Sequence, residues 1–136
     1  MKTTIRWSLL LISLSFMACK KESPATQVKT TQEKLLGKWN LVSEVTNDYY
    51  GGSSHLTTYN FQPGDYTEFK NDGKFTEYKS GTFDTYDYGI IDDSKIWMLL
   101  TNNIYELKIL TASDLQLYKK EISGTDYYES TLTMKK

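Results

Sequence analysis

The residues of this chain that could take part in catalysis or metal binding are few. His55 is the only histidine and Cys19 the only cysteine, so a histidine-based triad or a site built from several thiol or imidazole ligands lacks partners. Carboxylates on predicted strands could pair for glycoside hydrolysis, but their spacing singles out no two. The four considered are Glu68, Glu77, Asp84 and Glu106. We therefore expect no enzyme, no cofactor and no metal ion.

Cys19 is instead a candidate for lipid attachment. Lys2 and Arg6 precede a short apolar run from Trp7 to Met17, which is the pattern of a secretory signal. The run is too short to span a bilayer, since a helix needs about 20 residues for that. Phe16-Met17-Ala18-Cys19 resembles a bacterial lipobox, which implies a diacylglyceryl group on a cysteine that becomes the first mature residue. The alternative is a plain secretory signal with an incidental cysteine.

The lipobox resemblance implies a division of the chain into three parts. We assign residues 1–18 to a lipoprotein signal peptide, residues 19–33 to a lipidated flexible tether, and residues 34–136 to one folded domain. Lys20-Lys21-Glu22-Ser23 is similar to the Lys/acidic signals of Gram-negative lipoproteins on the outer cell surface. We therefore expect a lipid anchor in the outer membrane, with the domain facing either the periplasm or the cell surface.

The charge balance bears on the partners of the mature chain. Removing Lys2 and Arg6 from the 16 basic residues leaves 14 against 17 acidic ones, a net charge of −3. A nucleic-acid-binding domain needs a basic patch. We therefore expect no nucleic acid partner.

The pattern after residue 34 predicts an all-β domain. Segments with period-two alternation recur at short, even spacing between turn residues, which favours an antiparallel up-and-down β-barrel of eight to nine strands. Asp72-Gly73 marks the clearest hairpin. Thr30 and Glu33 fit a capping box for a short N-terminal helical turn, which a left-handed Gly37 would end; the alternative is an irregular lead-in.

Four segments, in order, resemble the lipocalin-like domains of bacterial lipoproteins. They are Gly37-Lys38-Trp39, Thr67–Phe75, Tyr105-x-Leu107-x-Ile109 and Leu110–Leu117. The resemblance spans about Leu35 to Lys136. It implies a lipocalin-like barrel, for which the usual role is transport of a small ligand. Gly37 and Trp39 are its structural motif, and we expect Trp39 to fill the core.

A tyrosine-rich rim is the best candidate for a binding surface. If the Leu35-Leu36 turn closes one end of the barrel, strand alternation brings four connections to the open mouth: Asn47–Ser54, Asn71–Gly73, Asp87–Ser94 and Thr111–Asp114. The first of these carries Tyr49 and Tyr50, and tyrosine gives contact area at low entropy cost. Tyr86 and Tyr88 are candidates for the same rim. The alternative is a loose hairpin with exposed tyrosines.

Two functions remain open. A barrel of eight strands is either filled by side chains or holds one small ligand. The first function is a non-catalytic module that binds a small apolar or amphipathic ligand at the mouth; the second is a protein- or glycan-interaction module with a filled core. Interior volume discriminates between them. Six bulky residues are predicted to line any cavity: Phe69, Phe75, Phe83, Met98, Tyr105 and Leu107.

Replacing Cys19 with Ala should release the protein from membranes. The reason is that stable anchoring takes two or more acyl chains, at about 0.8 kcal/mol per buried CH₂. Membrane fractionation measures the effect, with Ser23→Ala as the matched control that stays membrane-bound. A Cys19→Ala protein that sediments with membranes as the parent does would contradict lipidation.

Overall fold

The computed structural model describes residues 29–136. The predicted signal peptide, Cys19 and the tether up to residue 28 lie outside the described residues. One short helix, α1 (Thr31–Leu35), is followed by nine strands. The strands are β1 (Gly37–Tyr50), β2 (Ser53–Asn60), β3 (Tyr66–Phe69), β4 (Lys74–Lys79), β5 (Thr82–Asp92), β6 (Lys95–Met98), β7 (Asn103–Leu110), β8 (Asp114–Ser123) and β9 (Asp126–Lys135).

The strands form a closed antiparallel barrel, which confirms the predicted fold class. Neighbours from β3 to β9 pair in chain order, and β1 closes the ring by pairing with β3 on one edge and β9 on the other. The barrel therefore has eight strands. β2 is the ninth: it pairs with residues 43–50 of β1, on the same edge where β3 pairs with residues 37–40.

β2 and β3 lie end to end along the same edge of β1. Both run antiparallel to β1, and the loop Phe61–Asp65 bulges out between them. The loop stays attached to β1, because the Phe61 amide donates to the Val42 carbonyl at 3.1 Å and the Leu41 amide donates to the Asp65 carbonyl at 3.0 Å. No reversal of direction occurs between β2 and β3, so the two count as one strand in the up-and-down order.

Because β2 and β3 run in the same direction, the prediction of which connections lie at the open mouth is wrong. The Thr31 hydroxyl donates to the Asp93 carboxylate at 3.0 Å, so the β5–β6 turn lies beside α1. The turns at Asn71–Gly73 and Thr111–Asp114 lie at this same end, which we call the helix pole. Three of the four connections assigned to the mouth are therefore at the opposite end from the prediction. The open pole instead carries the turns at residues 51–52, 80–81, 99–102 and 124–125.

Two predicted connections are largely strand. Residues 47–50 belong to β1, and only Gly51 and Gly52 form the turn, with φ of +59° and +83°. A two-residue turn with both φ values positive is the geometry that matches the twist of a hairpin. Residues 87–92 likewise belong to β5 rather than to a loop.

The apolar core fills the half of the barrel nearest α1. Trp39, Phe69, Phe75, Ile96, Leu115, Leu117 and Met134 are buried there, with Leu35 of α1 among them. The predicted capping box of Thr30 and Glu33 is present, so residues 31–33, assigned to the tether, belong to the helix. Gly37 follows at φ +102°. The helix closes this pole of the barrel.

Polar contacts hold α1 in the barrel end. The indole nitrogen of the buried Trp39 donates to the Leu35 carbonyl at 2.7 Å. The Lys136 ammonium donates to the carbonyls of Lys34 and Leu36, at 3.1 and 2.9 Å. Carbonyls at a helix C-terminus lack partners within the helix, so these two side chains satisfy the end of α1.

Four strands continue past the barrel wall at the open pole. β3 pairs with β1 only as far as Asn40, and β7 pairs with β8 only as far as Tyr118. Beyond those points the order is β2-β1-β9-β8. We call this four-stranded sheet the extension; it comprises β2 and residues 43–50, 119–123 and 126–131.

Replacing Asp65 with Ala should lower the free energy of unfolding by about 1.5–3 kcal/mol, because hydrogen bonds to a charged group are worth about that much. Asp65 is buried, and its carboxylate accepts from the amides of Gln62 at 3.1 Å and Ser80 at 3.0 Å. It therefore ties the Phe61–Asp65 loop to the β4–β5 turn.

Urea unfolding of the two proteins measures this effect. Asp72→Ala is the control, since Asp72 makes a comparable contact to the Lys74 amide at 3.0 Å but is exposed. Equal losses for the two variants would show that burial of the Asp65 contacts contributes nothing.

Candidate functional site

The outer surface of the extension gathers tyrosines from three strands. In the register of the sheet, Tyr49 of β1 lies beside Tyr127 of β9, and Tyr127 lies beside Ile122 of β8. The next row on this surface contains Leu56, Asn47, Glu129 and Lys120, and Tyr118 lies beyond them on β8. We call this surface, made of these eight residues, the tyrosine face.

The aromatic rings of this face are held in fixed positions. Tyr49 and Tyr127 stack with their ring centroids 5.0 Å apart and their planes 6° from parallel. The Lys120 ammonium lies 3.9 Å from the Tyr127 ring centroid. Stacked aromatic pairs and cation–π contacts each contribute about 0.5–1.5 kcal/mol. A partner would therefore meet rings that are already ordered.

Glu129 is the polar centre of the tyrosine face. Its two carboxylate oxygens accept from the Asn47 side-chain amide at 3.1 Å and from the Tyr118 hydroxyl at 2.9 Å. The Lys120 ammonium lies 3.6 Å away. The hydrogen bonds from Asn47 and Tyr118 hold the pKa of Glu129 below its ordinary value of 4.5. The face is thus ordered by polar contacts as well as by stacking.

The most exposed large apolar side chains also lie on the extension. Among the described residues these are Tyr50, Ile122 and Leu56, with 75%, 73% and 71% of their surface exposed. Ile122 and Leu56 flank the tyrosines on the outer surface, whereas Tyr50 points to the other surface next to the turn. Apolar side chains that cluster on one surface, rimmed by polar residues, mark interaction sites.

The barrel interior at the open pole contains only a small cavity. Its volume is about 100 Å³. Glu77 forms an ion pair with Lys79 at 2.6 Å, and the Ser130 hydroxyl donates to Glu44 at 2.6 Å. Of the residues predicted to line a cavity, Met98 and Tyr105 do so. The wall consists of Glu44, Thr67, Glu77, Lys79, Met98, Leu100, Thr101, Tyr105, Leu132 and Met134.

Other predicted cavity residues lie elsewhere. Phe69 and Phe75 are inside the packed core with ring centroids 5.8 Å apart, and Leu107 is half-buried against that core. Phe83 is on the outer wall with 62% of its surface exposed, and its ring packs on Tyr78 at 4.6 Å. The prediction for Phe83 is wrong because the two-residue turn at Ser80-Gly81 pairs Phe83 with Tyr78, which faces outward.

The predicted rim is divided in the structure. Tyr49 and Tyr50 are consecutive in β1 and face opposite surfaces of the sheet. Tyr88 is buried near the helix pole, where its hydroxyl donates to the Lys70 carbonyl at 2.7 Å. The Tyr86 ring packs on Phe75 with centroids 5.5 Å apart. Tyr86 and Tyr88 therefore do not join Tyr49. Because β2 and β3 run in the same direction, β5 ends at the helix pole and not at the open pole.

Sequence reasoning missed six members of the tyrosine face: Leu56, Tyr118, Lys120, Ile122, Tyr127 and Glu129. Tyr118 and Lys120 lie two residues apart on β8, as Tyr127 and Glu129 do on β9. This period-two spacing was visible, but it applies equally to a face that packs inward. The missing information was the pairing of β9 with β1, which is not local in sequence.

Comparison with known proteins adds no assignment. No protein-family model, curated protein or solved structure matches the chain. The lipocalin-like resemblance therefore rests on its four sequence segments and stays a prediction. Within residues 29–136, no three His, Cys, Asp or Glu side chains are grouped as metal ligands would be. The described helix, α1, has five residues and is far too short to span a bilayer.

Replacing Glu129 with Gln should destabilise the protein at neutral pH and progressively less as the pH falls. A carboxyl group with a lowered folded-state pKa stabilises the fold above its unfolded pKa, and that stability is lost as the pH falls through the folded-state value. Thermal unfolding of both proteins from neutral pH to below 4.5, the ordinary pKa of Glu129, measures the difference.

The same comparison in a Tyr118→Phe background is the control. Tyr118 supplies one of the two hydrogen bonds to Glu129, so the pH-dependent difference should shrink without it. A difference that stays constant with pH would contradict the role given to the ionised Glu129.

Proposed function

We propose that this protein is a non-catalytic, lipid-anchored envelope protein that binds a protein partner through its tyrosine face. The observation that carries the proposal is that the three most exposed large apolar side chains of residues 29–136, Tyr50, Ile122 and Leu56, all lie on the extension. Leu56 and Ile122 flank stacked tyrosines on one surface. Interfaces are enriched in Tyr and in apolar anchors within a polar rim.

The interior volume supports this function over ligand transport. Pockets for small molecules typically have volumes of about 300–1,000 Å³, whereas the cavity at the open pole measures about 100 Å³. Its charged groups are engaged with neighbours, Glu77 with Lys79 and Glu44 with Ser130. An apolar ligand that enters the barrel interior would have to displace those contacts or the packed core.

The order of the face also favours protein binding. Immobilising a flexible side chain at an interface costs about 0.5–1.5 kcal/mol. Tyr49 and Tyr127 are already stacked on one another, and Tyr118 is already bonded to Glu129. Less freedom remains for a partner to remove, so more of the contact energy appears as affinity.

The position of the face agrees with a lipid anchor at Cys19. The described chain enters at the helix pole, and β1 runs from there to the open pole over 14 residues. At about 3.3 Å per residue this strand spans roughly 45 Å. A tether attached before α1 would hold the helix pole towards the membrane and leave the tyrosine face at the distal end.

Site-specific photo-crosslinking in the native host tests the proposal. A photoreactive residue in place of Ile122 should give a discrete protein adduct, and Tyr49→Ala with Tyr127→Ala should abolish it. Ile91 is the matched control position, since it is exposed but lies near the helix pole. Its substitution should give no such adduct.

Three results would contradict the proposal. One is an adduct that survives loss of both tyrosines. Another is equal crosslinking from Ile91 and Ile122. The third is crosslinking from position 122 to glycan or lipid only, which would show that the partner of the tyrosine face is not a protein.

A further inference from the structure

The outer edge of β2 carries backbone groups with no strand beside them. Within residues 29–136, β2 pairs with β1 and with no other strand. The Phe61 amide points to β1, where it donates to the Val42 carbonyl. Backbone groups alternate in direction along an antiparallel strand. Those of Ser54, Leu56, Thr58 and Asn60 therefore point away from β1 to the open edge.

This edge lacks the features that normally prevent pairing. Exposed edge strands are usually protected by charged side chains, proline or bulges. Of the nine strands in residues 29–136, β2 alone contains no Lys, Arg, Asp or Glu, and it has no proline or register shift. All eight of its residues are exposed. The opposite edge of the extension differs, since residues 119–121 of β8 are Lys-Lys-Glu.

We propose that β2 pairs antiparallel with β2 of a second copy of this chain, in a register centred on Thr57. An edge of alternating amides and carbonyls eight residues long is matched in spacing only by another extended chain. Under a two-fold axis the same strand of each copy forms the interface. Only the register centred on Thr57 pairs the outward backbone groups of Ser54, Leu56, Thr58 and Asn60 at the same time.

The side chains of β2 are compatible with a second copy of the same strand in this register. In this register Leu56 faces Thr58 of the second copy, Ser54 faces Asn60, and His55 faces Tyr59. No like charges meet between Lys, Arg, Asp or Glu side chains, because β2 contains none of them. Directly opposed like charges would destabilise a cross-strand pair. The two Leu56 side chains lie diagonally across the axis on one surface and shield each other from water.

The pairing would join two extensions into one sheet. A two-fold axis perpendicular to the sheet keeps the outer surface of both copies on the same side. The two tyrosine faces would then form one continuous surface with the strand order β8-β9-β1-β2 repeated in reverse. A partner with two binding epitopes could engage both faces, which raises the overall affinity without new contacts. The pairing itself does not depend on the proposed partner.

Cysteine substitution in the full-length protein tests the register in its native envelope. Only the residue on the two-fold axis meets its own copy, and a disulfide needs Cα atoms within about 7 Å. Under mild oxidation Thr57→Cys should give about tenfold more disulfide dimer than Leu56→Cys or Thr58→Cys. The parent chain, which has Cys19 alone, and Thr85→Cys on the exposed wall of β5 give the background.

Each outcome of the disulfide test either supports or overturns the proposal. A dimer specific to Thr57→Cys supports the proposal. A dimer that peaks at position 56 or 58 overturns the register, and dimer at background level for all three positions overturns pairing through β2. Equal dimer from Thr85→Cys attributes the crosslinks to random collision and also overturns it.

A charge-exchange pair provides an independent test. Thr57→Lys and Thr57→Glu each bring like charges together on the axis, so neither variant should co-purify with a differently tagged copy of itself. Co-expression of the two variants should restore co-purification. Unchanged urea unfolding of each variant controls for the fold. Self-association of both single variants at the level of the parent chain would overturn the proposal.

Discussion

The pairing of β1 along both of its edges is the interaction on which the rest of the structure depends. On one edge it meets β9 from Asn40 to Tyr49. On the other it meets β3 and then β2, with the Phe61–Asp65 loop between them. One strand therefore closes the barrel near α1 and carries the extension at the open pole. The orientation of the tyrosine face follows from this strand, because β2 and β9 are both aligned on it.

The division of the interior explains why the binding surface lies outside the barrel. Trp39, Phe69 and Phe75 fill the half nearest α1, and the helix closes that pole. Towards the open pole, a register shift between Leu41 and Ser43 changes the inward side of β1, so that Glu44 lines the cavity. Aromatic packing at one end and paired charges at the other leave little room for an apolar ligand.

The sequence predicted the features that depend on neighbouring residues. Period-two alternation indicated most strands, the Thr30–Glu33 spacing indicated the helix cap, and Asp72-Gly73 indicated a hairpin, as the structure has them. The relation of β2 to β3 was not predictable in this way. Pro63-Gly64 reads as a turn whether the chain reverses or bulges, and the outcome depends on distant contacts such as Asp65 with Ser80. This one ambiguity misplaced three connections.

The central claim is that the protein binds through the outer surface of the extension and not through the barrel interior. Native mass spectrometry of the full chain, purified gently from its own host, tests this most directly. With a cavity of about 100 Å³, we expect the covalent mass of the chain, or twice that mass for a pair of copies, with no bound lipid or metabolite. A stable adduct of small-molecule mass that survives substitution of Tyr49 and Tyr127 would contradict it and make the barrel a carrier.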